Sequence, residues 1–425
     1  MGVEKRSPSS ALDAAQRIRS YVHFDAPLSK KACAELVADP SRVKRHAFFP
    51  FLRHDIVRPK LKRLPGGRIV KTSKIREIRY AAHSDAAIYS YYNFVLAQCY
   101  EALLAESELQ PNVTAFRALS KSNVDFAQEA FGWISDHQPC VAFGFDVKDF
   151  FGSLDHGLLK NAWSEVLGAP RLPQDHYAVF KSLTKHSSVE LISARRALGL
   201  SRSALDRIEK LCSPLEFRAS IRARNLIQTN TSDRGIPQGS PISAALSNIY
   251  MLQFDIRMKM EADSVGGLYR RYCDDILIVL PDSEGVEKQV IALVDHELRV
   301  LKLEMQPAKT LVCHFGPAGN DKPLQYLGLT FDGVAASLRP SGVTRFYQKM
   351  RKGVGQLSSS KRLDGATPLL IQRRRSLINR YTEHVPNEKR SYFKYVRLAV
   401  RKTKSFAIRR QLRFHRLRFN SLLRP

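Results

Sequence analysis

The 425-residue chain is long enough for two or three domains with a real core, and its 44% hydrophobic content fits a soluble globular protein. Lys and Arg outnumber Asp and Glu by 68 to 40, and the net charge of +28 predicts a polyanionic partner, most simply nucleic acid. The six cysteines form no CxxC pair and no zinc-finger spacing, and no apolar run approaches a membrane span. Reduced thiols, no membrane contact and a cytoplasmic location are therefore expected. The charge is uneven. Residues 341–425 hold 23 Lys and Arg against 3 Asp and Glu, so +20 of the +28 lies there.

In chain order, residues 11–50 read as polar helix broken at Pro27 and Pro40. A turn at Pro65-Gly66-Gly67 precedes two alternating segments, Arg68–Thr72 and Lys74–Tyr80. They read as a basic hairpin with Lys74, Arg76 and Arg79 on or near one face. Taken alone, that hairpin reads equally well as a solvated edge protected by charge. Asp85–Leu104 reads as a helix whose aromatics, Tyr89 to Tyr100, pack into a core.

Val141–Val147 reads as a buried strand that carries Asp146 to its end, where a carboxylate is costly unless paired or metal-bound. Phe150 reads as core, and Asp155 as the N-cap of a helix over Gly157–Leu167. Residues 169–230 read as mostly helical, with polar loops at 186–189 and 198–203. Arg234–Pro241 is a rigid turn before a helix over Ile242–Met260. Its backbone N–H groups suit a phosphate or a base edge, or simply start the helix.

Tyr269–Val279 reads as a hairpin with Asp274 and Asp275 at its turn. Adjacent carboxylates against so apolar a strand repel unless a cation joins them, and a hard divalent ion is the simplest resident. Glu284–Leu301 reads as an amphipathic helix, Leu303–Val312 as a turn and strand carrying Lys309, and Leu324–Phe331 as one strand. From Arg345 the pattern is helical and basic with interleaved aromatics. Arg373, Arg374, Arg375, Arg401, Lys402, Arg409, Arg410 and Arg413 are its candidate RNA contacts.

Five blocks now stand in order: Phe145-Asp146-Val147-Lys148-Asp149-Phe150-Phe151, Gly235-Ile236-Pro237-Gln238-Gly239-Ser240-Pro241, Tyr272-Cys273-Asp274-Asp275, Leu303–Thr310 and Tyr326-Leu327-Gly328. Together, over about residues 60–335, they resemble the palm of a reverse transcriptase. The chain is similar to bacterial retron-like and group II intron-like enzymes. Its Tyr-Cys-Asp-Asp tip departs from their usual Tyr-Ala-Asp-Asp. With the Lys74–Tyr92 segment and the C-terminal extension, the tip resembles the antiphage defence-associated reverse transcriptases, most of all the class 2 type, which works with a neighbouring non-coding RNA.

The resemblance implies an α+β right-hand polymerase. Residues 1–60 would be a helical extension, 61–138 the fingers, 139–335 a palm of antiparallel sheet and helices with a helical insertion at about 169–230, and 336–425 a basic helical thumb and RNA-binding region. It implies two Mg²⁺ ions, with Mn²⁺ an alternative, bridged by Asp146 and Asp274 and completed by Asp275 and the carbonyl of Val147. Lys74, Arg76 and Arg79 would hold the dNTP phosphates. Lys309 would approach the leaving pyrophosphate, or be a surface lysine. Phe151 would exclude a 2′-hydroxyl, which favours dNTPs. Gln238, with Pro237 and Gly239, would line the pocket near the templating base, and Tyr272 would lie under the primer end. The implied partners are a structured non-coding RNA template, the cDNA product and dNTPs. Retron-type synthesis of RNA-linked DNA, an RNA-dependent RNA polymerase and an inactive RNA-binding scaffold stay open, as does the oligomeric state.

Overall fold

The structure, a computed structural model, describes residues 8–63, 67–316, 319–320, 322–364, 367–382 and 391–423. Three short helices open the chain: α1 (Ala11–Ala15), α2 (Lys30–Val37) and α3 (Pro40–Lys44), capped by Ser10, Ser29 and Asp39. Pro40 begins α3 rather than breaking a helix, because the first helical position needs no N–H bond.

Strands β1 (Phe51–Arg63) and β2 (Ile69–Tyr80) form one long antiparallel hairpin. Its expected turn at Pro65-Gly66 lies outside the described residues. The boundary expected between residues 60 and 61 falls inside β1, whose charged residues and Pro59 obscure the strand pattern. Helices α4 (His83–Glu106) and α5 (Asn123–Asp136) follow. Next come β3 (Cys140–Asp146), α6 (Phe150–Ser153) and α7 (His156–Val166). Asp155 caps α7 by accepting the Leu158 N–H at 2.9 Å.

After α8 (Gln174–Thr184) comes β4 (Ser187–Glu190), then α9 (Leu191–Ala197), α10 (Pro214–Glu216) and β5 (Gln228–Thr229). The polar loop expected at 186–189 is thus a strand. It lies parallel to β1, with Val189 opposite Leu52, and tertiary pairing overrides its Ser-rich composition. The resulting sheet has the order β2-β1-β4-β5.

The helix expected over Ile242–Met260 is two helices, α11 (Ser243–Tyr250) and α12 (Leu252–Ser264), broken at Met251. Then follow β6 (Leu268–Tyr272), β7 (Asp275–Pro281), α13 (Val286–Val300), β8 (Leu311–Gly316) and β9 (Gly319–Asn320). The central sheet has the order β6-β7-β3-β8-β9. Both faces of its middle strands are buried. On β3, Val141, Phe143 and Phe145 enter the core against α4, α7, α11 and α12, while Cys140 and Ala142 face α5 and the C-terminal helices. Alternation with both faces buried makes β3 a continuous apolar run in sequence.

A small sheet follows: β10 (Leu324–Tyr326), β11 (Leu329–Phe331) and β12 (Ala336–Leu338). The single strand expected here is a hairpin, since Leu327 and Gly328 have φ of 46° and 91°. The chain ends in α14 (Pro340–Asp364), α15 (Pro368–Tyr381), α16 (Tyr392–Thr403), α17 (Phe406–Gln411) and α18 (His415–Leu423). Among the described residues no helix is long and apolar enough to cross a membrane.

Candidate active site

The apolar register of the central sheet decides where its carboxylates stand. β3 and β7 pair antiparallel with Asp146 opposite Asp275, and β6 sets Tyr272 opposite the same Asp275. Cys273 and Asp274 make the tip, and Cys273 turns with φ +61°, a left-handed conformation that a Cβ resists. The Val147 N–H donates to the Asp274 carbonyl at 3.3 Å, which ties the end of β3 to the tip.

The tip is braced from below by Arg271, which is fully buried. Its Nε and Nη2 each donate to Asp255 at 2.6 Å, while Nη1 donates to Asn248 Oδ1 and to the Cys273 carbonyl, both at 3.1 Å. Tyr269 Oη donates to the same Asp255 at 2.5 Å. The Arg271 carbonyl accepts the Thr114 N–H at 2.9 Å and its hydroxyl at 3.0 Å. This strut joins α11, α12 and the segment before α5 to the Asp274 turn.

Lys309 comes from the other side. The Gln306 N–H donates to the Asp146 carbonyl at 2.9 Å and the Lys148 N–H to the Glu304 carbonyl at 2.9 Å. These bonds fasten the Lys309 turn onto the end of β3, and the Lys309 ammonium contacts Asp146 Oδ1. Asp275 keeps an exposed face, yet the chain crowding it withholds enough water to push its carboxyl up to about 6. Asp274 and Asp146 push the same way, and Lys309 and Arg339 oppose them.

Carboxylates that repel one another at the ends of paired strands are the donor set of a hard divalent ion. The residues fit such an ion by chemistry. As they stand, Asp146 is engaged with Lys309, and no three His, Cys, Asp or Glu side chains among the described residues converge on one point.

The Gly235–Pro241 loop links two further elements. The Ile236 N–H donates to the Phe151 carbonyl at 2.9 Å, and the Arg79 N–H donates to the Gln238 carbonyl at 2.8 Å. Two glycines permit this. A Cβ on Gly235 would lie 2.9 Å from the Gly152 carbonyl, and one on Gly239 would lie 2.7 Å from that of Arg79. Phe151 and Gln238 are half-buried, Pro237 is buried and Gly239 is exposed. Phe150 is core, as expected.

A family model described as reverse transcriptase (RNA-dependent DNA polymerase) matches residues 90–331, more than half of the chain. The chain belongs to the reverse transcriptase family. The matched region contains Asp146, Phe151, Gln238, Asp274, Asp275 and Lys309. Among solved structures, it is similar to apo telomerase from Candida tropicalis, with a TM-score of 0.42 and 12% identity over 86% of this chain and 59% of that one. It is also similar to telomerase from Candida albicans in complex with a TWJ fragment of telomeric RNA, with a TM-score of 0.40 and 13% identity over 91% of this chain and 65% of that one. The reverse transcriptase thus spans about three fifths of the first telomerase chain. No curated protein matches it.

Two expected groupings differ in this reverse transcriptase. β2 runs without a bulge through Tyr80, so strict alternation puts Lys74 and Arg76 on one face and Arg79 on the other. Arg79 there pairs with Glu77 at 2.5 Å. In the basic tail, Lys402 ion-pairs with Asp125 at 2.7 Å and helps hold that carboxyl down to about 2 despite its partial burial. Lys402 thereby joins α16 to the capping box of α5. Arg373, Arg374, Arg375, Arg401, Arg409, Arg410 and Arg413 are exposed along α15, α16, α17 and the turn after it. Tyr272 is half-buried, with its ring centroid 6.4 Å from that of Phe126.

Sequence reasoning missed Arg271, Asp255 and Arg339. A signal existed for the buried pair: Asp255 falls among Leu252, Phe254 and Met258 on the buried side of α12, where an acid needs a partner. For Arg339, beside the small sheet, nothing local marks a role.

Proposed function

We propose that this reverse transcriptase copies a structured partner RNA into cDNA, with Asp146, Asp274 and Asp275 as its catalytic carboxylates. The observation that carries the reading is the register pairing of Asp146 with Asp275, one residue from Asp274. These three side chains and the Val147 carbonyl would hold magnesium, two ions in all, with manganese able to substitute. When bound, such ions activate the primer 3′-hydroxyl and neutralise the triphosphate.

The chain's own residues supply the rest. Lys74 and Arg76, on one face of the β1–β2 hairpin, reach for the β- and γ-phosphates, whereas Arg79 acts through its backbone bond to Gln238. Phe151 closes against the sugar where a 2′-hydroxyl would sit. Gln238, between Pro237 and Gly239, lines the nucleotide pocket, and Tyr272 supports the primer end. Lys309, whose ammonium contacts Asp146 Oδ1, would donate a proton from Nζ toward the leaving pyrophosphate.

In this reading the β1–β2 hairpin belongs to the fingers, the central sheet is the palm, and α14 to α18 form a thumb with an RNA-binding extension. The Tyr272-Cys273-Asp274-Asp275 tip, the Lys74–Tyr92 segment and the C-terminal extension support a bacterial, cytoplasmic defence enzyme, and the tail charge of +20 over residues 341–425 supports its work with an RNA. The test combines Asp274→Ala with Asp275→Ala. DNA synthesis on a primed RNA template is abolished while RNA still co-purifies, and retained synthesis refutes the assignment. Sequencing the co-purifying RNA and cDNA separates copying of a partner RNA from retron-type, RNA-linked DNA.

A further inference from the structure

A cavity of about 540 Å³ opens between α5, the turn joining β11 to β12, and the junction of α16 and α17. It lies at the far end of the central sheet from the carboxylates. Gln138, just before β3, donates to the Gly333 carbonyl at 3.2 Å beside it, and β3 then runs roughly 20 Å to Asp146. Its frame is rigid. Phe131 and Phe331 stack in its wall with centroids 4.7 Å apart, and the Ser405 hydroxyl donates to the Ala336 carbonyl at 2.5 Å.

Its chemistry is that of a nucleobase receptor. Phe406 stands 75% exposed at the rim, a stacking platform left to solvent. Gln128, half-buried in the lining, has an amide with no hydrogen-bond partner among the described residues, and so offers both a donor and an acceptor. Lys404 and Arg410 line the mouth, and no lining residue is acidic. An aromatic face, a free amide and cations without carboxylates together match single-stranded RNA, whose bases splay out to stack and pair. The two cations alone would suit an acidic peptide as well, but the exposed aromatic face and the amide beside them favour a base.

We propose that this cavity captures one unpaired base of a bound RNA, stacked on Phe406 and read by Gln128, with Lys404 and Arg410 on the flanking phosphates. The inference rests on the RNA-binding reading above and adds a site remote from the chemistry, suited to holding a structured RNA rather than its template strand.

The test uses the full chain and two probes, a short oligouridylate and a duplex RNA of equal length, titrated at several KCl concentrations. Phe406→Ala and Gln128→Ala each weaken the single strand, the former by about tenfold, with an unchanged salt slope and unchanged duplex affinity. Arg410→Gln makes the slope shallower by about 0.7. Melting curves matching wild type show that each variant is folded. Single-strand affinity within twofold of wild type in both Phe406→Ala and Gln128→Ala, or an equal loss on duplex RNA, overturns the proposal. The wild-type controls keep the two readings apart. Salt-dependent binding and DNA synthesis by wild type, with silent cavity variants, remove the cavity alone.

Discussion

Asp275 carries a conflict that the fold does not resolve by itself. Its carboxyl, pushed up to about 6, binds a proton more readily in the folded chain than in the unfolded one. Between its ordinary value near 4 and that raised value, the folded state therefore loses stability as pH rises, and the penalty is complete above about 6. Asp275→Asn removes the penalty. In metal-free buffer at pH 8 the variant should melt about 1–2 °C above wild type, a small gain because the carboxyl keeps an exposed face. At pH 4 the two should coincide. Added Mn²⁺ should stabilise wild type and leave the variant nearly unmoved. Differential scanning calorimetry over this pH range checks all three, and a variant less stable at pH 8 would mean that desolvation and repulsion together are not the dominant influence on Asp275. Phe151 is the other residue whose chemistry can be isolated. It follows buried Phe150, stays half-buried, and is anchored through its carbonyl to Ile236. Phe151→Ala should keep DNA synthesis and admit ribonucleotides, raising rNTP incorporation relative to dNTP by at least tenfold in primer extension. Unchanged sugar selectivity would remove the steric argument, and preference for rNTPs by wild type would favour an RNA polymerase.

At the scale of elements, the hairpin β6–β7 shows what a sequence can and cannot disclose. Its strands and the two carboxylates are legible because Ile276–Leu280 is apolar and Asp-Asp is a poor turn by any local rule. The partner strand β3 is legible for the same reason. What stays hidden is pairing across long separations. The 186–189 segment becomes β4 only by lying beside β1. β1 itself is disguised by Pro59 and its charges, and the Leu327-Gly328 turn folds a short apolar run back on itself. Spacing alone groups Arg79 with Lys74 and Arg76, but a strand's face depends on unbroken register, which a spacing cannot guarantee. The strut under the tip is hidden in the same way, since Arg271 and Asp255 meet only when β6 packs on α12. Arg271→Ala leaves Asp255 buried without its cation and frees the Cys273 carbonyl, so a loss of roughly 3–5 kcal/mol is expected. Arg271→Lys keeps the charge but not the fork that spans Asp255, Asn248 and Cys273. It should fold, with kcat reduced more than the dNTP KM is raised, because the tip rather than the nucleotide pocket is displaced. Chemical denaturation and steady-state kinetics test the pair of variants, and full activity in Arg271→Lys would show that the tip does not depend on the strut.

For the whole molecule, charge sets the terms of association. Residues 341–425 carry +20, and the exposed arginines of α15 and α17 lie on helices with few acids nearby. Cations that contact phosphates displace condensed counterions, so affinity falls linearly on a logarithmic salt scale with a slope set by the number of contacts, about 0.7 for each on a single strand. Arg374, Arg375 and Arg409 are exposed and lie outside the residues around Asp146. Replacing all three by Gln should make the slope shallower by about 2 and weaken RNA binding most at low salt, where released counterions matter most. The variant should melt as wild type does, because removing like charges from a strongly cationic surface costs the fold nothing. Filter binding between low and moderate KCl measures the slope directly. A slope that does not change would move the RNA off α15 and α17, toward the hairpin face bearing Lys74 and Arg76, and would leave the tail charge as a solvated surface.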